Sequence, residues 1–177
     1  NWFEGNVAIG PDGTLYAGND NFHVYAIHRD GTQKWAIDMP DQTWSSPAID
    51  PADGQLFIGN NAMLTFLGSN MFSFDTEGNR VWRHSEANGS VAASPMLTAD
   101  GAVIVGGFDG YVRAIDAVTN LERWTFATRD HVYASPAELP DGTIVEPSAD
   151  GTIYALDPAT GAQRWAFDTL EPIRSSP

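Results

Sequence analysis

Ala155-Leu156-Asp157-Pro158-Ala159-Thr160-Gly161-Ala162-Gln163-Arg164-Trp165 is the stretch on which the fold turns, because the chain repeats it four times. The other copies are AIHRDGTQKW (26–35), SFDTEGNRVW (73–82) and AIDAVTNLERW (114–124). Outward from this phrase, a Ser-Pro pair recurs at Ser46-Pro47, Ser94-Pro95, Ser135-Pro136 and Ser176-Pro177, with the prolines 48, 41 and 41 residues apart. An Asp-Gly pair falls at 12–13, 53–54, 100–101 and 141–142. Self-similarity at about 40 residues marks a repeat architecture. Counting back 41 residues from Pro47 sets EGNVAIGPDG (4–13) against SSPAIDPADG (45–54), so the 177 residues hold four repeats and nearly nothing else.

Within a repeat, short runs alternate at period two: TLYAG (14–18), HVYAI (23–27) and KWAID (34–38) in the first, TIV (143–145), TIYAL (152–156) and RWAFD (164–168) in the fourth. Runs of this length, β-branched or aromatic and bounded by Asp-Gly or Thr-Gly, are strands joined by tight turns. No stretch carries apolar residues at helical spacing, and Gly and Pro interrupt every window long enough to do so. Each repeat has four strands: A after Ser-Pro, B after Asp-Gly, C before the Asp-x-x-Thr-Gly turn, and D with the Trp. Four-stranded antiparallel units at this period are propeller blades. The predicted fold is all-β, a β-propeller of four-stranded antiparallel blades at approximately 6–46, 47–94, 95–135 and 136–177.

A sheet buried on both faces needs one large side chain at a fixed place, and Trp buries roughly 150–250 Å² while its N–H reaches a carbonyl. Trp35, Trp82, Trp124 and Trp165 are predicted to wedge between blades. The small residue nine or ten positions earlier (Ala26, Ser73, Ala114, Ala155) leaves room for a ring, and Gly31, Gly78 and Gly161, with Asn120 in the third repeat, supply the positive φ of the turn.

The phrase Ala-x-Asp-x-x-Thr-Gly-x-x-x-Trp, with the Ser-Pro opening of strand A, resembles the tryptophan-docking motif of the pyrroloquinoline-quinone (PQQ) type propeller repeat family. The resemblance covers all 177 residues. It implies a ring of six to eight blades, so four repeats are expected to be part of a larger ring, completed by further blades, a second copy or another chain. A closed four-bladed propeller is the competing arrangement. It also implies a periplasmic, cell-envelope or secreted location.

The family includes quinoprotein dehydrogenases and cofactor-free scaffolds. A dehydrogenase site in this family calls for adjacent cysteines, a stacking Trp, a calcium held by Glu, Asn and Asp, and a catalytic Asp. The chain has no Cys, and no Glu/Asn/Asp set aligns to that motif. The reading therefore lies closer to the BamB-like scaffolds, with no catalytic, cofactor or metal residues assigned and neither PQQ nor calcium expected within these residues. The alternative is a fragment of a PQQ-dependent or other propeller enzyme whose active site lies outside this segment.

Composition agrees with a protein partner. With 23 Asp+Glu against 9 Lys+Arg the net charge is −14, which disfavours nucleic acid and anionic membrane surfaces. No apolar run approaches the roughly 20 residues of a membrane span. His23, His28, His84 and His131 lie in different repeats at no metal-ligand spacing. Asn19-Asp20-Asn21 and Asp50-Pro51-Ala52-Asp53-Gly54 lack the EF-hand spacing and read as Asx turns.

A propeller's variable surface is formed by its D-to-A connections and B-to-C hairpins. Trp44 and Tyr133 stand three residues before their prolines, and Arg174 takes that place in the fourth repeat. Aromatic and Arg side chains at an equivalent rim position either anchor an interface or cap a central channel. Arg129 and His131 share this rim. Repeat two is seven residues longer than the 41-residue repeats, and the excess is expected at 60–70, where Met63, Leu64, Phe66 and Leu67 either cover the blade or offer a partner an apolar patch. Glu146-Pro147 replaces the glycine that ends strand B elsewhere (Gly18, Gly59, Gly106), and an opened hairpin tip is predicted there.

Overall fold

The computed structural model describes residues 3, 5–61, 70–84, 86, 87 and 89–177. They form sixteen strands and, among the described residues, no helix long and apolar enough to cross a membrane. The first blade is β1 (Ala8–Ile9), β2 (Leu15–Gly18), β3 (His23–Ile27) and β4 (Gln33–Asp38); the second is β5 (Ala48–Ile49), β6 (Leu56–Gly59), β7 (Met71–Phe74) and β8 (Arg80–His84). The third is β9 (Met96–Leu97), β10 (Ala102–Gly106), β11 (Tyr111–Asp116) and β12 (Glu122–Ala127), and the fourth is β13 (Ala137–Glu138), β14 (Ile144–Pro147), β15 (Thr152–Leu156) and β16 (Gln163–Asp168). Each is an antiparallel four-stranded meander in chain order, as expected for a blade. The blades group into two compact units, 1–94 and 95–177.

In the first unit Tyr16, Val24, Ala26, Leu56, Ile58, Phe72 and Phe74 are buried together, with Trp35 and Ile37 packed against them. The core of the second unit is Ala102, Ile104, Val112, Ala114, Trp124, Val132, Ile144, Tyr154 and Leu156, with Phe126 alongside. Each fully buried Leu, Ile, Val or Phe contributes on the order of 1.5–3 kcal/mol.

The docking tryptophans show why the repeated phrase has its form. Trp35 Nε1 donates to the Thr76 carbonyl at 2.9 Å, and Trp124 Nε1 donates to the Pro158 carbonyl at 2.8 Å. Each ring lies on the turn glycine of the next blade: a Cβ on Gly78 would come within 3.1 Å of Trp35, and one on Gly161 within 2.6 Å of Trp124. That glycine is required twice over, by its φ of 84° or 69° and by the ring above it. The small residues sit directly across the ladder from the Trp of their own blade, as Ala26 opposite Trp35 and Ala114 opposite Trp124. Trp82 is buried against Phe57, ring centroids 5.7 Å apart.

The serine of the Ser-Pro phrase has a role that sequence reading did not assign. Ser94 Oγ accepts the Ser46 N–H at 2.8 Å, Ser46 Oγ the Asn6 N–H at 2.7 Å, and Ser176 Oγ the Ser135 N–H at 2.8 Å. These bonds place Asn6 against Ser46, and Ala8 and Ile9 pair with strand B as Ala48 and Ile49 do. The alignment of repeat one that sets Asn6 against Pro47 is therefore one residue out. The cause is the A-to-B turn: Ile49 pairs with Leu56 where Ile9 pairs with Leu15, making this turn one residue longer in repeat two. Its B-to-C hairpin, closed by Gly59 opposite Met71 in place of Gly106 opposite Val112, is six residues longer.

Pro147 does not open its hairpin. It pairs with Ile153, and the tip closes through Ser148 N–H to the Thr152 carbonyl at 3.0 Å, as Gly107 bonds to Tyr111 in the third blade. The bonded Ser148–Thr152 pair makes the adjacent Pro147–Ile153 pair a non-hydrogen-bonded one, so the missing N–H removes no rung. In the second blade the Gly59 N–H donates instead to Ser45 Oγ. The fourth blade has Ala134 at the residue equivalent to Ser45, so no hydroxyl loses its donor.

Candidate functional site

What positions the rim is a backbone bond repeated in every blade, linking the D-to-A connection to the residue that begins the B-to-C hairpin. Thr43 donates to the Asn19 carbonyl, Val91 to Asn60, Val132 to Gly107 and Ile173 to Ser148, at 3.2, 2.9, 3.1 and 3.3 Å. The approach is close enough that a Cβ on Gly18, Gly59 or Gly106 would lie within 2.5 Å of Thr43, Val91 or Val132. Hence strand B ends in Gly in three blades.

In the first unit this clamp carries Trp44 over the hairpin of its own blade, where Trp44 Nε1 donates to Asp20 Oδ1 at 3.0 Å. That hairpin holds Phe22 at a φ of 64°, the position at which the third and fourth blades have Gly110 and Gly151. A bulky side chain in this region carries backbone strain of about 1–3 kcal/mol.

In the second unit the same clamp assembles an aromatic cluster. Tyr133 packs on Phe108 with centroids 4.4 Å apart, and His131 stacks on Phe108 at 5.2 Å and meets Tyr133 edge-on at 6.0 Å. The Arg174 guanidinium lies over the Tyr133 ring, 5.2 Å from its centroid. A cation so placed is held by about 0.5–1 kcal/mol at an exposed site. The His131 side chain is half exposed, and beside it Phe108, Asp109, Thr128, Arg129 and Asp130 line a cavity of about 260 Å³.

Arg129 is turned elsewhere. Its Nη2 donates to Thr152 Oγ1 at 2.6 Å, its Nε lies 3.6 Å from Asp150 Oδ2, and its backbone N–H donates to the same carboxylate at 2.9 Å. Tyr154 adds its hydroxyl to Asp150 Oδ2 at 2.7 Å. Burial opposes the ionisation of Asp150, yet the hydrogen bonds from Tyr154, Arg129 and Thr152 hold its carboxyl below the usual range. Arg129 is thus fixed across the groove between the third and fourth blades.

Tyr133, His131 and Arg174 are brought together, Arg129 lies next to them but paired, and Trp44 sits on its own unit. Met63, Leu64, Phe66 and Leu67 lie outside the described residues. Phe108, the platform of the cluster, was missed by sequence reading. The available signal was an aromatic residue in the Phe108-Asp109-Gly110 hairpin, where the fourth blade has Ala149.

Glu146 was singled out only for its proline neighbour. It is fully buried at the register position of Ala17, Ile58 and Val105, and among the described residues neither carboxyl oxygen has a hydrogen-bond partner. Burial pushes its pKa well above the ordinary 4.5, since the charged form would lose its water with no partner in return.

With this geometry the chain can be set beside known proteins. Among solved structures it is similar to that of BamB from Moraxella catarrhalis, at 24% identity and a TM-score of 0.77, covering 93% of this chain and 49% of that one. The chain therefore spans about half the length of that relative. No curated protein sequence matches it. The family model for outer membrane protein assembly factor BamB matches residues 69–177, more than half of the chain, and the protein belongs to that PQQ-like repeat family.

Proposed function

We propose that the chain is a non-catalytic scaffold of the cell envelope whose rim docks a protein engaged in outer-membrane protein assembly. The observation that carries this is the preassembled cluster of Phe108, His131, Tyr133 and Arg174, held by the Val132–Gly107 clamp. Tyr and Arg in a packed, part-exposed cluster are the residue types that dominate protein interfaces. Rings already stacked lose little side-chain freedom on binding. Family membership supplies the class of partner, and the net charge of −14 favours a partner with a cationic face. Neither PQQ nor calcium takes part in this reading.

The test is photo-crosslinking from positions 133 and 174 in envelope preparations, with the exposed Val118 as the control position. Adducts with a component of the outer-membrane assembly machinery from 133 and 174, but not 118, are expected. Adducts from 118 alone, or none from the rim, overturn the proposal. Tyr133→Ala is expected to weaken binding by about tenfold or more, since interface anchors contribute on the order of 2 kcal/mol.

A further inference from the structure

Neither the blade framework nor the rim cluster accounts for Glu146. Its register position holds Ala17, Ile58 and Val105 in the other blades, yet here a carboxyl is fully buried and, among the described residues, neither oxygen has a hydrogen-bond partner. Residues two apart on a strand share a face, so Glu146 is turned the same way as Ile144, and Tyr154 lies directly across the ladder. Ile144 and Tyr154 are buried in one cluster with Ile104, Val112, Trp124 and Val132 of the third blade. The carboxyl therefore stands in the packed junction between the third and fourth blades.

The charged and titratable groups on the surrounding elements are committed elsewhere. Tyr154 of β15 gives its hydroxyl to Asp150, and Arg129 is held by that carboxylate and by Thr152. Arg113 of β11 is paired with Asp109 and Glu122, and Arg123 of β12 with Asp100 and Asp116. Arg164 of β16 is paired with Asp157, and Asp168 accepts the Leu170 N–H. Glu138 of β13, across from Ile144, is exposed, and the His131 ring stacks on Phe108 with Asp130 beside it. A carboxylate at 146 would lose its hydration and gain no cation, so ionisation favours an opening that admits water.

Such an opening acts on the rim. Ser148, two residues after Glu146, begins the hairpin of the fourth blade; the Ala149 N–H donates to the His131 carbonyl at 2.9 Å, and Ser148 Oγ lies 3.4 Å from the same oxygen. Val132 belongs to the junction cluster and makes the Gly107 bond that brings Tyr133 to Phe108. The first unit repeats both bonds, Asn61 N–H to the Gln42 carbonyl at 2.7 Å and Val91 to Asn60, but has Ile58 at the register of Glu146.

We infer that Glu146 is a pH-responsive catch: neutral, it lets the third and fourth blades close and hold the loop of His131 and Tyr133; ionised, it opens that junction and frees the loop. The ligand of the catch is a proton, released above the ordinary carboxylate range because burial opposes the charge. The loop is the one proposed to dock a protein, but the catch acts on it with no partner bound and does not depend on that reading.

Backbone hydrogen exchange of the 177-residue chain, followed by NMR from about pH 4 to about pH 8 and corrected for the intrinsic pH dependence of exchange, tests this. The open form releases one proton with the ordinary pKa of 4.5, so protection at Ala149 and Val132 is expected to fall about tenfold per pH unit from there to the raised value. Asn61 and Val91 are expected to show no such slope, and in Glu146→Gln the slope at Ala149 and Val132 is lost. Glu146→Val, which installs the residue type of Val105, serves as the second variant should Gln fail to fold. Flat protection in the wild type overturns the inference, as does an equal slope in both units or a slope that survives in a folded variant. The ladder amides of β10 and β11 report unfolding of the whole unit; if Ala149 and Val132 exchange only in step with them, Glu146 sets global stability and the catch is overturned.

Discussion

The groove between the first two blades and the groove between the last two share one tryptophan anchor and differ in the side chains that bridge their walls. The first is lined by Ile37, Asp38, Met39, Phe72, Phe74 and Arg80, with a cavity of about 370 Å³; the second, of about 410 Å³, is lined by Phe126, Ala127, Arg129, Thr152, Tyr154 and Asp168. In the second Arg129 is pinned across the groove to Asp150 and Thr152, an arrangement the first groove does not share. The anchor depends on a carbonyl, a glycine and a ring, all placed by the repeat. The groove wall depends on side chains that the anchor does not constrain, so it is free to differ from blade to blade.

The sharpest way to break the comparison is to remove the shared part. Trp124→Ala is expected to cost about 3–5 kcal/mol, the range for deleting a large buried aromatic, and to lower the thermal midpoint by roughly 10 °C, and Trp35→Ala, which removes a part-buried ring, to cost less. Gly161→Val is expected to behave like Trp124→Ala, since its Cβ meets that ring. A melting experiment in which Trp35→Ala costs as much as Trp124→Ala, or more, would contradict this order.

Next comes the buried carboxyl of the second unit, at a position that is apolar in the other blades. Its raised pKa means that the stability of the protonated form is fully present below pH 4.5 and declines as pH rises through 4.5 towards the raised value. Glu146→Gln is therefore expected to be close to neutral near pH 4 and stabilising at pH 7, because Gln, unlike Glu, gains nothing by ionising in the unfolded chain. A melting difference independent of pH would contradict this assignment.

A smaller effect separates the grooves themselves. Arg129→Ala should lower the stability of the second unit in low salt and less in high salt, because the exposed end of the Arg129–Asp150 pair is screened. Pro40→Ala in the first groove should show no salt dependence.

The smallest contrast lies in the turns that join strand C to strand D. Asp116 accepts N–H bonds from Thr119 and Val118, and these with Arg123 hold its pKa at about 2. For such a depressed acid, stability is present above pH 4 and lost as pH falls through about 2. The first blade has His28 at this turn position, so Asp116→Asn should flatten the acid limb of the melting curve, whereas His28→Asn should not.

Much of this was legible in the chain. The Asp-Gly and Thr-Gly turns delimit strands, the 41-residue recurrence sets the blade, and a Trp at one fixed offset announces an inter-blade anchor. Less legible was any contact made between loops. Phe108 and Tyr133 are 25 residues apart, and only the Val132–Gly107 bond brings their rings to 4.4 Å. Arg129 and His131 share a rim in the sequence, but they point to different partners because Asp150 is offered by the next blade. The expectation of an opened hairpin at Pro147 missed which pairs of the ladder carry bonds.

The sequence by itself determined the four-stranded unit, its repetition and the side chain that joins one blade to the next, because these follow from local periodicity, turn chemistry and one large ring at constant spacing. Only the tertiary structure decided which rim side chains share a surface and that Glu146 is buried with no hydrogen-bond partner among the described residues. Those properties depend on through-space distances between residues tens of positions apart, and the repeat constrains the strands that carry such residues but not the loops that bring them together.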